Sequence, residues 1–169
     1  WWLEQANGDQ LRFAPMADQP AIHRLAELKD RNGARQLWHY DAEGRWVGLT
    51  DSAGTVLSFH LTPAGLIGQI HYGPDLLVSY DYDDQHRLTA ATDAAGYRRT
   101  YAYDAQHRLT RYTDRLGFGN NAEYGPHGRV SRTFGDDGSN QLQFDYRPFQ
   151  QLTRIRNALG DVTEYHYDD

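Results

Sequence analysis

The sequence predicts an all-β fold built from repeated antiparallel β-hairpins, and three observations carry that reading. A unit of 21 residues recurs along most of the chain. Each unit contains two turn signals rich in Asp and Gly. Between the turns, apolar and polar residues alternate with the period of two that belongs to strands.

Residues 1–18 fit the repeat loosely and read as a lead-in segment or a degenerate repeat. Asn7-Gly8 is a hairpin-turn signal, and Leu11-Arg12-Phe13 reads as a strand ending near Pro15. Residues 19–169 form the tandem repeats. Gln19, Tyr40, Leu61, Tyr82, Tyr103, Tyr124, Tyr146 and Tyr167 occupy one recurring slot, spaced by 21 residues except for a step of 22 before Tyr146. Six residues after each of the first seven slots stands an apolar residue: Leu25, Trp46, Ile67, Leu88, Leu109, Val130 and Leu152. Two residues before it, Trp38, Phe59, Tyr80, Tyr101, Phe144 and Tyr165 are aromatic, with Ala122 the weak copy.

The first turn follows the slot as Tyr-Asp-x-x-Gly-Arg, seen in full at Tyr40, Asp41, Gly44 and Arg45. Its copies are Tyr82, Asp83, Arg87 and Leu88; Tyr103, Asp104, Arg108 and Leu109; Tyr124, Gly128 and Arg129; and the opening pair Tyr167-Asp168. The second turn is Asp-x-x-Gly: Asp30 to Gly33, Asp51 to Gly54, Asp93 to Gly96, Asp114 to Gly117, and the variant Asn157 to Gly160. Asp or Asn bonds the backbone two residues on, and Gly supplies the positive φ of a type I turn with a bulge. Each repeat is then a hairpin that advances the sheet by about 9.6 Å, and about fourteen strands are expected from residue 19 onward, enough for a twisted sheet to curl. The extra residue before Tyr146 is expected as a longer turn or a bulge near Asp136-Asp137-Gly138-Ser139, because inside a strand it would flip every following side chain. Around Leu61 the turn chemistry changes to Thr62-Pro63 and Tyr72-Gly73-Pro74-Asp75.

Composition narrows the function. The net charge of −6 argues against a nucleic-acid partner, which needs a concentrated basic surface. With no cysteine, disulfides and thiolate metal sites are excluded. No apolar run approaches the roughly 20 residues of a membrane-spanning helix. The opening Trp1-Trp2, without a methionine, suggests a piece of a longer protein.

Candidate chemistry dissolves into turn geometry. His23, His86 and His107 share the fourth position after the slot, with His127 one place earlier. Copies one repeat apart stand about 10 Å from each other, too far for a metal held at about 2 Å, so no metal, cofactor or catalytic residue is assigned. Asp83, Asp93, Asp104 and Asp114 are explained as turn formers and not as an acid–base pair. Asp136-Asp137-Gly138 lacks the alternating ligands and closing Glu of a calcium loop. Tyrosine is abundant at 12 and the four tryptophans, Trp1, Trp2, Trp38 and Trp46, lie early, so the aromatic rows pack the sheet or, as the alternative, stack on carbohydrate.

Tyr-Asp-x-x-Gly-Arg-Leu with Asp-x-x-Gly at this period resembles the Rhs or YD-repeat family. That family includes bacterial Rhs polymorphic toxins, the C component of insecticidal Tc toxins, and animal teneurins. The resemblance covers residues 19–169 and implies a β-ribbon spiralling into a hollow shell, which in bacterial members encloses a secreted toxin domain. None of the six prolines follows an aspartate, so the Asp-Pro motifs of the family's autoproteolytic core find no match. The resemblance implies a non-enzymatic wall segment whose partners are neighbouring shell repeats or an enclosed toxin domain; separately, exposed strand edges are expected to pair with other chains. It also implies secretion, or residence in the bacterial cytoplasm before export by a specialised secretion system. The alternative implied by teneurin-like relatives is a module binding carbohydrate or a cell-surface protein.

Overall fold

The structure, a computed structural model, describes residues 1–16 and 19–168. Ala17, Asp18 and Asp169, at the ends of the two predicted segments, lie outside the described residues. The fold is all-β, and its one helical feature among the described residues is a single 3-10 turn, Pro148–Gln150. The chain divides into two compact units, Trp1–Tyr80 and Asp81–Asp169.

The first unit carries β1 (Trp2–Glu4), β2 (Gln10–Pro15), β3 (His23–Lys29), β4 (Arg35–Tyr40), β5 (Trp46–Asp51), β6 (Val56–Leu61) and β7 (Ile67–Tyr72). Strand β8 (Asp75–Tyr82) pairs with β7 and runs two residues past the boundary. The second unit carries β9 (Leu88–Asp93), β10 (Arg98–Tyr103), β11 (Leu109–Thr113), β12 (Gly119–Tyr124), β13 (Val130–Gly135), β14 (Leu142–Arg147), β15 (Leu152–Asn157) and β16 (Val162–His166). Within each unit, chain neighbours are hydrogen-bonded antiparallel neighbours. Among the described residues fourteen strands, β3 to β16, follow residue 19.

Register places the slot residue at a bulge. Tyr40 pairs with Trp46, Leu61 with Ile67, Tyr103 with Leu109, and Tyr124 with Val130, in each case across a shift of one residue. The first turn thus closes on the slot and the apolar residue six positions later. The last repeat differs: Tyr146 pairs with Thr153 and Arg147 with Leu152, without a bulge. There the 3-10 turn and a left-handed Gln151 replace the usual four-residue turn.

The core is thin. Phe59, Ala90 and Leu152 are its buried apolar members among the described residues, and no large side chain is fully enclosed. A single layer of hairpins leaves apolar side chains half-covered, so packing against the next strand supplies what a second layer does elsewhere. Glu27, the buried acidic residue, is held by Arg12 at 3.1 Å and Arg35 at 3.7 Å.

Two turn expectations sharpen. Gly135 occupies the position of Asp93 and Asp114, and Gly138 that of Gly96 and Gly117, so Gly135-Asp136-Asp137-Gly138 is the ordinary second turn in register. The extra residue falls after it, around Asn140, whose φ of 53° marks the added kink. At Tyr72, the usual turn is replaced by a two-residue connection, Gly73-Pro74, with Tyr72 paired directly to Asp75.

Candidate functional site

The repeating Tyr-Asp box is the one constellation present in many copies, and its chemistry begins with the aspartate. Asp104 Oδ1 accepts from the backbone N–H of Gln106 at 2.9 Å and of Arg108 at 3.0 Å, while Oδ2 accepts from Arg108 Nε at 2.7 Å. Asp83 makes the same bonds with Gln85 and Arg87. In the first unit Asp41 takes Arg45 by backbone and side chain, both at 2.7 Å. The backbone bond from Arg87 is the largest influence on Asp83 and, with the Arg87 side chain, outweighs partial desolvation, so its carboxyl lies below the usual range. For Asp41 and Asp104 desolvation is the largest single influence and pushes upward, yet the combined bonds from Arg45 and Arg108 leave both carboxyls lowered.

Aspartate fixes arginine, and arginine reaches the next repeat. The Arg87 guanidinium lies 5.2 Å from the Tyr103 ring centre, Arg108 lies 4.5 Å from Tyr124, and Arg129 lies 5.1 Å from Tyr146. In the first unit Arg24 lies 5.2 Å from Tyr40. The tyrosine answers through its hydroxyl: Tyr103 Oη donates to the Leu88 carbonyl at 3.0 Å, Tyr124 to Leu109 at 2.7 Å, and Tyr40 to Leu25 at 2.8 Å. Arg87 also donates to the Asp104 carbonyl at 3.1 Å. Burial is the main cause raising the Tyr40 and Tyr103 phenols above their ordinary value, so both remain protonated donors. Where a box arginine is followed by a tyrosine in the next slot, the box is therefore closed by the one that follows it; Arg45, whose next slot holds Leu61, has no tyrosine to meet.

The signature residues separate by role. Asp51, Asp93 and Asp114 each accept two backbone N–H bonds that cap the second turn, as Asn157 does. Gly54, Gly96, Gly117 and Gly160 stand at positive φ in those turns. Leu88 and Leu109 open β9 and β11 and present the carbonyls that the tyrosines take. Tyr82 ends β8 and Tyr146 lies in β14. At the fourth box Gly125 stands in the aspartate position, so Arg129 stacks on Tyr146 without the aspartate anchor, and Gly128 keeps the positive φ. Tyr167 follows β16 and donates its backbone N–H to the Gln151 carbonyl, with Asp168 next in the chain.

Two features lay beyond the sequence reasoning. His86 and His107 both adopt φ of 61°, the backbone state that Gly44 takes in the complete box, whereas His23 opens β3. Their shared alignment with Gly44 and Gly128 was the available signal. The other is Asp136, which accepts from Arg111 Nη2 at 2.6 Å, Asn121 Nδ2 at 3.1 Å and the Gly119 N–H at 2.9 Å. Those bonds, Arg111 foremost, lower its carboxyl to about 2. With Gly135 in the aspartate position, Asp136 is free to tie β11 and β12 to the following turn.

Other constellations are sparse. Among the described residues no three His, Cys, Asp or Glu side chains gather as a metal site, and no helix is long and apolar enough to cross a membrane. Trp38 stacks on Trp46 at 4.7 Å, and Trp46 meets the Phe59 ring edge to face at 4.5 Å, so these aromatic rings pack on one another. A surface groove of about 580 Å³ runs past Pro126, His127, Tyr146 and Phe149.

Residues 21–56 and 82–118 match the family model of the RHS Repeat. No curated protein matches the chain. Two of the solved structures that share its fold are TcdB2-TccC3 structures. "Crystal Structure of TcdB2-TccC3 without hypervariable C-terminal region" aligns with a TM-score of 0.61 at 14% identity over 90% of this chain. "Crystal Structure of TcdB2-TccC3-TEV" aligns with a TM-score of 0.51 at 16% identity over 93% of this chain. The chain spans 9% and 11% of the length of those two chains.

Proposed function

We propose that this chain, which carries RHS repeats of the YD type, is a wall segment of a larger β-shell that encapsulates or scaffolds a secreted toxin domain and performs no catalysis itself. The observation that carries this reading is the box-to-box interlock. The Asp-Arg pair and the tyrosine hydroxyl, the groups best suited to chemistry, are spent on holding one hairpin to the next. Such nearest-neighbour coupling suits a long ribbon whose stability accumulates with repeat number. The likeness of fold to the TcdB2-TccC3 structures supports the same reading by analogy.

In this reading the partners are neighbouring shell repeats, the enclosed domain, and chains that pair along open strand edges. The protein is secreted, or held in the bacterial cytoplasm until a specialised secretion system exports it. The packing of Trp38, Trp46 and Phe59 on one another favours sheet packing over the carbohydrate-binding alternative.

The test is limited proteolysis of the full-length gene product, followed by mass spectrometry. A wall predicts one continuous enclosed segment that resists cleavage while the repeats are intact and becomes cleavable when they are unfolded. Equal cleavage before and after unfolding overturns the reading.

A further inference from the structure

The polar face of the first unit holds a pair of imidazoles that the repeat pattern does not explain. On β6 and β7, His60 pairs with Gln69 and Ser58 with His71. Residues two apart share a sheet face, so His60, Gln69, Ser58 and His71 stand together on one face. The His60 and His71 ring centres are 4.5 Å apart with their planes inclined by 32°, the one contact between two imidazoles among the described residues. His71 Nε2 lies 3.1 Å from Gln69 Oε1. With Nε2–H donating to that amide oxygen, the other ring nitrogen keeps its lone pair, which is how metal-ligating histidines are oriented.

We propose that His60 and His71 form a two-imidazole site for a divalent transition metal of the tetragonal class, copper or nickel in preference to zinc. A metal about 2.1 Å from each ligating nitrogen lies about 3.2 Å from each ring centre. With both lone pairs turned onto one ion, ring centres 4.5 Å apart put the two ligands close to a right angle at the metal. That is the cis angle of a tetragonal site, whereas a tetrahedral zinc asks the rings to move apart. The remaining positions face solvent, beside the Gln69 amide and the Ser58 hydroxyl, and are open to water or to a third ligand from a bound molecule. The turn histidines offer no such pair, since His86 and His107 sit singly in separate turns, and on β4 His39 is taken by Thr50 at 2.7 Å. This inference does not depend on the wall reading, which stands if the site fails.

The experiment titrates the tag-free chain with copper(II) sulfate and with nickel(II) chloride, followed by calorimetry. H60A and H71A are each expected to weaken the tightest site roughly tenfold or more, while H39A, on the same face, leaves it unchanged. Substoichiometric copper added to the unmodified chain is expected to broaden the His60 and His71 imidazole proton signals before any other histidine's, a readout that needs no variant to fold. Equal affinity in the parent and the two alanine variants, or earlier broadening at His23, His86, His107 or His127, overturns the proposal.

Discussion

Arg108 and Tyr124, one repeat apart, face each other with the guanidinium carbon 4.5 Å from the ring centre. The same arginine is anchored behind by Asp104 at 2.7 Å, and the same tyrosine reaches past it to the Leu109 carbonyl at 2.7 Å. Four groups from two repeats thus make one closed contact. The tyrosine is the shared part, because it lies at the bulge of its own hairpin and against the turn of the hairpin before it.

The hydroxyl arm of this contact is testable alone. Tyr103→Phe keeps the ring under Arg87 and removes the donor to Leu88 O, leaving a part-buried carbonyl without its partner. The expected loss is about 1 kcal/mol, read as a lower urea midpoint at unchanged slope.

A second expectation concerns the turn histidines. A side chain at positive φ costs about 1–2 kcal/mol relative to the right-handed state, partly offset because glycine loses more entropy on folding. His107→Gly, at φ of 61°, is therefore expected to be neutral or stabilising by up to about 1 kcal/mol. His107→Val is expected to destabilise. Thermal melts of both variants check the pair, and a marked loss of stability in the glycine variant gives the histidine a role beyond its backbone.

Acid sensitivity is the third. Asp136 has its folded carboxyl lowered from 3.8 to about 2 by Arg111 and Asn121. A lowered folded value means that the stabilisation is fully present above the unfolded value, and is lost as pH falls through the interval from 3.8 to about 2. Melting temperatures of the parent chain and of Asp136→Asn are expected to differ near neutral pH and to converge as pH drops across that interval. A gap that stays constant contradicts the assignment.

How much of this was legible in the sequence follows from the range of each interaction. Asp93 and Gly96, or Asp114 and Gly117, act within five residues, so their pattern alone declared a turn. The alternation through Tyr101 and Tyr103 declared strands for the same local reason. The destination of Arg87 and Arg108 was not legible, because their partners Tyr103 and Tyr124 come within reach only after the bulge sets the register between hairpins. His86 and His107 were readable as turn residues, but their left-handed backbone emerged from the alignment with Gly44. Asp136 was hidden by its neighbour: with Gly135 in the aspartate position, the pair Asp136-Asp137 looked like solvated turn, while its carboxylate reaches Arg111 across two strands. The imidazole pair was likewise unreadable, since His60 and His71 are joined by the β6–β7 register and belong to no recurring position.

The central claim is that the Tyr-Asp boxes hold each hairpin to the next, and a double-mutant cycle on Arg108 and Tyr124 tests it most directly. Arg108→Met, Tyr124→Leu and the double variant are compared with the parent chain by urea unfolding. A coupling of about 0.5–1 kcal/mol is predicted, the value of an exposed cation–π contact between residues in direct contact. Additive effects, with no coupling between the two positions, contradict the account.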